Sequence, residues 1–188
     1  MNRRDALARV GLIMGGAVIG AEFFLSGCKN TEKKDGASFS EDDIALLDEV
    51  GETIIPTTST PGAKSVKIGA FMTMMVHDCY DDKNQKAFTE GLSKLDEASK
   101  KKNNASFMKS TPEQRTALLN DLDKEMRAYM KEKKKEDAAH YFKLMKELTI
   151  LGYFTSETGA TKALRYMETP GRYDGAFPYK KGDKAWAT

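Results

Sequence analysis

The chain has 188 residues, two cysteines, and 30 basic against 28 acidic side chains, for a formal net charge of +2. This length fits one domain with a sizeable core, and the near-neutral balance offers no basic surface for nucleic acid. Two cysteines exclude both a disulfide-stapled scaffold and a cysteine-ligated iron-sulfur cluster.

The chain opens on Arg3, Arg4 and Arg9, followed by an uncharged run from Val10 to Ala21. That order reads as an export signal. As a helix the run would cover about 18 Å, too short for a hydrocarbon core of roughly 30 Å. It ends in Leu25-Ser26-Gly27-Cys28, which looks like a lipobox, with small residues for the peptidase and a thiol for the lipid. The Arg3-Arg4 pair resembles a twin-arginine signal, with the bulky apolar residue displaced to Leu7; ordinary Sec export is the alternative. Residues 1–27 are therefore read as a signal peptide and 28–38 as a lipidated cysteine with a flexible tether. The product is expected on the periplasmic side of the envelope, anchored by lipid. Lipidation of Cys28 leaves Cys79 alone; it is expected to be buried as a small apolar residue, with pairing to a partner chain as the alternative.

The domain proper is expected over residues 39–188. Ser40 with Asp43 forms a capping-box pattern, with Phe39 and Ile44 at the spacing of a hydrophobic staple. They predict a helix from Glu41 to about Ile54 whose core face is Ile44, Leu47, Val50 and Ile54. Pro56 to Gly62 breaks it. A second helix carries Ile68, Phe71, Met72, Met75 and Cys79 inward and ends near Tyr80. A third buries Phe88, Leu92 and Leu95 and frays over Lys100 to Asn104. Thr111-Pro112-Glu113-Gln114 starts a fourth through a second capping box with Pro in the first turn, continued by Leu118, Leu122 and Met126. The charged block Lys131 to Asp137 reads as a solvated helix surface or turn. Tyr141, Leu144, Met145, Leu148 and Leu151 mark a fifth helix.

Residues from Thr155 to Thr161 begin a short sixth element, and Gly and Pro forbid a long one afterwards. No segment alternates with a period of two. The expectation is an all-α domain of five to six helices with an irregular Gly/Pro-rich tail that needs something to pack on.

Motifs that carry chemistry are sparse. No Gly-rich phosphate cradle and no Cys-x-x-Cys-His haem motif occurs. His77 and Cys79, two residues apart on a helix, point about 200° from each other and cannot easily share a metal. His77 and His140 read as surface or core histidines. The pairs Asp42-Asp43 and Asp81-Asp82 fall near helix starts, where carboxylates cap and favour the macrodipole. No catalytic, cofactor or metal residues are assigned to this chain.

Two segments carry a resemblance. They are Ile54-Ile-Pro-Thr-Thr-Ser-Thr-Pro-Gly-Ala-Lys64, and Leu148 to Thr161 running into Arg165-Tyr166 and Pro170-Gly-Arg-Tyr-Asp-Gly175. Together, over residues 39 to about 178, the chain resembles the gluconate 2-dehydrogenase subunit 3 family. The resemblance implies a small noncatalytic subunit of a membrane-associated sugar or sugar-acid dehydrogenase. FAD would sit in a large partner, a flavoprotein of the glucose-methanol-choline (GMC) type, often with a cytochrome c as electron acceptor. The small subunit would supply the export signal and help its partner fold and take up flavin. Arg165, Tyr166, Arg172, Tyr173 and Asp174 are the candidate partner-interface residues, since Arg and Tyr join apolar contact to polar anchoring. Gly152, Gly159, Pro170 and Gly171 serve as well to shape the chain's own reversals. A stand-alone envelope lipoprotein acting as a binding or scaffold module is the alternative, and an enzyme acting alone comes third.

Overall fold

Ser40 sets the start of the first helix. Its hydroxyl accepts from the Asp43 amide at 3.2 Å while the Asp43 carboxylate accepts from the Ser40 amide at 2.9 Å, a reciprocal capping box. In this computed structural model, which describes residues 38–169 and 171–187, five α-helices follow. They are α1 (Glu41–Ile54), α2 (Ile68–Cys79), α3 (Asp82–Asn103), α4 (Pro112–Glu132) and α5 (Tyr141–Thr155). The described residues are thus mostly helical. Short 3-10 turns at Ala63–Val66 and Phe107–Lys109 link them, and a π-helical turn at Gly159–Ala163 follows α5. No helix among the described residues is long and apolar enough to cross a membrane. The signal and tether readings, including Arg3, Arg4 and Cys28, lie outside the described residues.

The caps agree with their local chemistry. Asp81 accepts from the Asn84 amide at 2.9 Å to start α3. Thr111 and Gln114 close a second capping box on α4, with Pro112 in its first turn. The Lys100 to Asn104 stretch does not fray. It stays helical to Asn103, and Asn104, left-handed at φ 55°, returns its amide to the Lys100 carbonyl.

The central element is α5, which packs against each of the other four helices. Tyr141, Phe142, Leu144, Met145, Leu148, Thr149, Gly152 and Tyr153 are buried along it, leaving only one side open. That open side holds Ile150, Leu151 and Phe154, so Leu151, expected inward, is 47% exposed. The buried line of α2 is Ile68, Met72 and Val76, at steps of four that lead on to half-buried Tyr80. Cys79 falls off this ridge and is exposed, correcting its expected burial. Phe39 sets its ring edge-on against Phe88 at 5.9 Å and closes the entry to α1.

After the π turn, Arg165–Tyr166 (β1) pairs in parallel with Trp186–Ala187 (β2), a pairing that no sequence pattern announced. The described residues between these strands are irregular and exposed.

Candidate functional site

Both motif segments converge on the loop between α1 and α2. Glu52, in the last turn of α1, reaches over it: Oε1 accepts from the Thr57 amide at 2.8 Å and the Thr57 hydroxyl at 2.7 Å, and Oε2 accepts from the Lys64 amide at 3.0 Å. The Thr57 oxygen accepts from the Gly62 amide at 3.0 Å, and the Tyr153 hydroxyl of α5 donates to the Pro61 carbonyl at 2.6 Å. A loop rich in Pro and Thr thereby becomes a fixed turn. One helical turn earlier, Glu49 takes Lys64 and, at 2.5 Å, the Arg115 guanidinium of α4. Arg115 also donates to the carbonyls of Phe107 at 3.0 Å and Met108 at 2.7 Å, and lies over the Phe107 ring. Burial opposes ionisation of Glu49 and Glu52. The Lys64 and Arg115 charges at Glu49, and the Thr57 and Lys64 hydrogen bonds at Glu52, outweigh it and hold both below the usual carboxylate range.

Gly152, within the second motif, lets α2 approach α5: a Cβ there would run into Phe71 and Ile68. A Cβ at Gly159 would run still harder into the Tyr153 carbonyl, which is backbone, while one at Gly171 would meet open space. Pro170 lies outside the described residues.

A second cluster of candidate residues sits on the C-terminal arm, residues 165–187. Arg165 turns inward. Its guanidinium stacks over Trp186 at 4.4 Å and Phe177 at 5.8 Å, and stands 3.9 Å from Asp183. The Arg165 amide donates to the Ala185 carbonyl at 2.8 Å, and that of Met167 to Ala187 at 2.8 Å. Arg172 and Asp174 form an exposed pair at 3.7 Å. Tyr166 and Tyr173 face solvent, Tyr173 being 96% exposed. The structure thus brings Arg172, Tyr173 and Asp174 together with Met167, Phe177 and Trp186 around an open cavity of about 400 Å³, while Arg165 braces its base.

A third place is a groove of about 610 Å³ between α3, α4 and the start of α5, lined by Lys83, Lys86, Lys94, Glu125, Tyr129 and His140 among others. His140 is buried and caps α5, its Nδ1 accepting from the Phe142 amide at 3.3 Å. It stacks on Tyr141, and Glu125 lies 3.8 Å from its Nε2. Burial lowers its pKa, with Glu125 opposing; burial also pushes the Tyr141 hydroxyl up to about 12. His77 is bound to the neighbouring Asp78 at 2.7 Å. Among the described residues no group of three or more His, Cys, Asp or Glu is placed to hold a metal ion.

The sequence reading passed over Glu49, Glu52 and Arg115, and weighed His140 only as a surface or core histidine, of which the structure shows the buried form. A signal existed for the two glutamates: they stand three residues apart on α1, immediately before the loop they bind.

The two motif segments thus meet at one clamped loop, and the exposed arm follows them in sequence. Residues 41–171 match the family Gluconate 2-dehydrogenase subunit 3, well over half of the chain, and the protein belongs to that family. No curated protein and no solved structure matches it.

Proposed function

We propose that this protein is the noncatalytic small subunit of a flavin-dependent sugar or sugar-acid dehydrogenase. Family membership over residues 41–171 carries the reading. The internal work of the matched motifs supports it: Glu52, Pro61, Gly152 and Tyr153 fix a turn and a helix seam, which suits a scaffold whose product is a surface. In this reading FAD belongs to a GMC-type catalytic partner, and a cytochrome c takes the electrons. Arg3 and Arg4 carry the export signal for the folded pair, and lipid on Cys28 holds the complex at the periplasmic face of a membrane. Tyr166, Arg172, Tyr173 and Asp174 are the interface residues, with Arg165 behind them.

The test is a pull-down of the tagged full-length chain from detergent-solubilised membranes, read by flavin absorbance and mass spectrometry. A yellow complex with a near-equimolar large flavoprotein is the expected result. A colourless lone chain overturns the proposal in favour of an independent lipoprotein.

A further inference from the structure

Behind the bundle, residues 165–187 expose more apolar surface than the fold explains. Among the described residues the last buried hydrophobic side chain is Tyr153, so the buried core lies before the arm begins. Yet Met167, Tyr173, Phe177, Tyr179 and Trp186 are all exposed, Tyr173 and Tyr179 by 96% and 75%. Contiguous exposed aromatics on a soluble domain mark a contact surface.

The arm is also held in shape before any partner arrives. Its two ends pair as β1 and β2, Arg165 lies across Trp186 and Phe177, and the rings of Phe177 and Trp186 meet edge-on at 5.5 Å. At the tip, Lys180 and Asp183 exchange hydrogen bonds, the Asp183 carboxylate accepting from the Lys180 amide at 2.9 Å, around Gly182 at φ 98°. Such closure lowers the ordering entropy of binding.

Charge gives the partner's chemistry. Asp174 is already paired with Arg172, and Asp183 with Arg165 and the Lys180 amide. Lys180 and Lys181, beside Tyr179, are exposed, and their ammonium groups form no ion pair with a carboxylate among the described residues.

We infer that this arm is a preformed recognition loop that docks into an apolar, acid-rimmed groove on the catalytic flavoprotein. Tyr173 and Tyr179 enter the groove, Lys180 and Lys181 meet its carboxylates, and Arg165 is a positioning residue that keeps the loop closed. This rests on the accessory-subunit reading. Aromatics beside lysines also suit an anionic lipid surface. The open cavity with its Arg172–Asp174 pair favours a protein that inserts side chains.

The experiment co-expresses the flavoprotein with the full tagged chain, with a chain ending at Leu164, and with the K180E/K181E and R165A variants. Flavin recovered per chain is the readout, with helical circular dichroism as the folding control. The shortened and charge-reversed chains should keep their helical signal and recover less than a tenth of the wild-type flavin. R165A should fall between, with emission from Trp186, the single tryptophan, shifted to the red. Full recovery by the folded shortened chain overturns the inference and leaves the accessory reading standing; no flavoprotein with the wild type overturns both. Should the shortened chain fail to fold, the charge-reversed chain decides alone. Arm-dependent sedimentation of the unlipidated C28S chain with phosphatidylglycerol vesicles, together with undiminished flavoprotein recovery, would assign the arm to lipid instead.

Discussion

The Tyr153 hydroxyl donates to the Pro61 carbonyl across 2.6 Å, joining two residues 92 positions apart. The ring of Tyr153 is 1% exposed, so the pair ties the core to the clamped loop. Tyr153→Phe keeps the ring and removes the donor. A lost buried hydrogen bond of this kind costs about 1–2 kcal/mol. The urea midpoint should fall with the slope unchanged. An unmoved midpoint would show that the loop is fixed by Glu52 alone.

Arg115 serves Glu49 and two carbonyls at once, with both side chains about 15% exposed. Removing one partner of a well-shielded pair costs about 3 kcal/mol, and Lys lacks the planar fork that reaches three acceptors. Arg115→Ala and Arg115→Lys should therefore both destabilise strongly, the second nearly as much as the first. Rescue by Lys in thermal melts would contradict this. Because the carboxyl of Glu49 is held below its ordinary 4.5, its contribution is complete above that value and is lost as pH falls through the lowered one.

His140 predicts a second pH dependence, at a milder acidity. Its pKa in the folded protein lies below the ordinary 6.5, mainly through burial, so the unfolded chain binds the proton first. Stability is full above pH 6.5 and declines as pH drops below it. Glu125 and Lys94 are the charged groups that modulate the ring, with Tyr129 and Tyr141 against its faces. Protonated Nδ1 could no longer accept from Phe142. His140→Asn supplies a good cap without a titrating ring. Its melting temperature should change less between pH 7 and pH 5.5 than the wild type's; equal slopes would discharge His140 from the role.

Two glycines should behave differently. At Gly69 a Cβ would strike the Ile44 carbonyl oxygen of α1, which is backbone, whereas at Gly152 the obstacles are the Phe71 ring and the Ile68 terminal methyl. Side chains rotate away more readily than a helix moves. Gly69→Ala should cost about 3 kcal/mol and Gly152→Ala about 1–2, within the usual range for overpacking. Denaturant titrations that reverse the order would refute the assignment of α1–α2 contact to Gly69.

Cys79 stands at the exposed end of α2. In the C28S chain, one thiol per molecule should react with a maleimide without denaturant, at the rate of a free peptide cysteine to within about tenfold. Protection until the protein unfolds would restore the buried reading.

Much of the bundle was legible from local chemistry. The capping boxes at Ser40 and Thr111 and the Asp81 cap depend on neighbours three residues away, which a sequence displays directly. Core residues were legible where one helix face meets one neighbour, as with Leu118, Leu122 and Met126. Legibility failed where packing direction comes from elsewhere. Cys79 and Leu151 fit an i, i+3, i+4 pattern, but the ridge through Val76 to Tyr80 and the enclosure of α5 by four helices chose other faces. The loop clamp was invisible because its ligands are long-range: Glu52 reaches the Lys64 amide and Tyr153 reaches Pro61. Arg165, a candidate partner-interface residue, also braces the arm, a contact that nothing near it in sequence announces.

The parallel pairing of Arg165 with Trp186 and Tyr166 with Ala187 also decides where added polypeptide would emerge. Anything spliced after Ala187 leaves alongside Tyr166, at the base of the arm, heading the way the chain took when it first set out. Cargo inserted at Gly182 would cap the Lys180–Asp183 tip, whereas a strand extended past Ala187 would run beside the outgoing Met167.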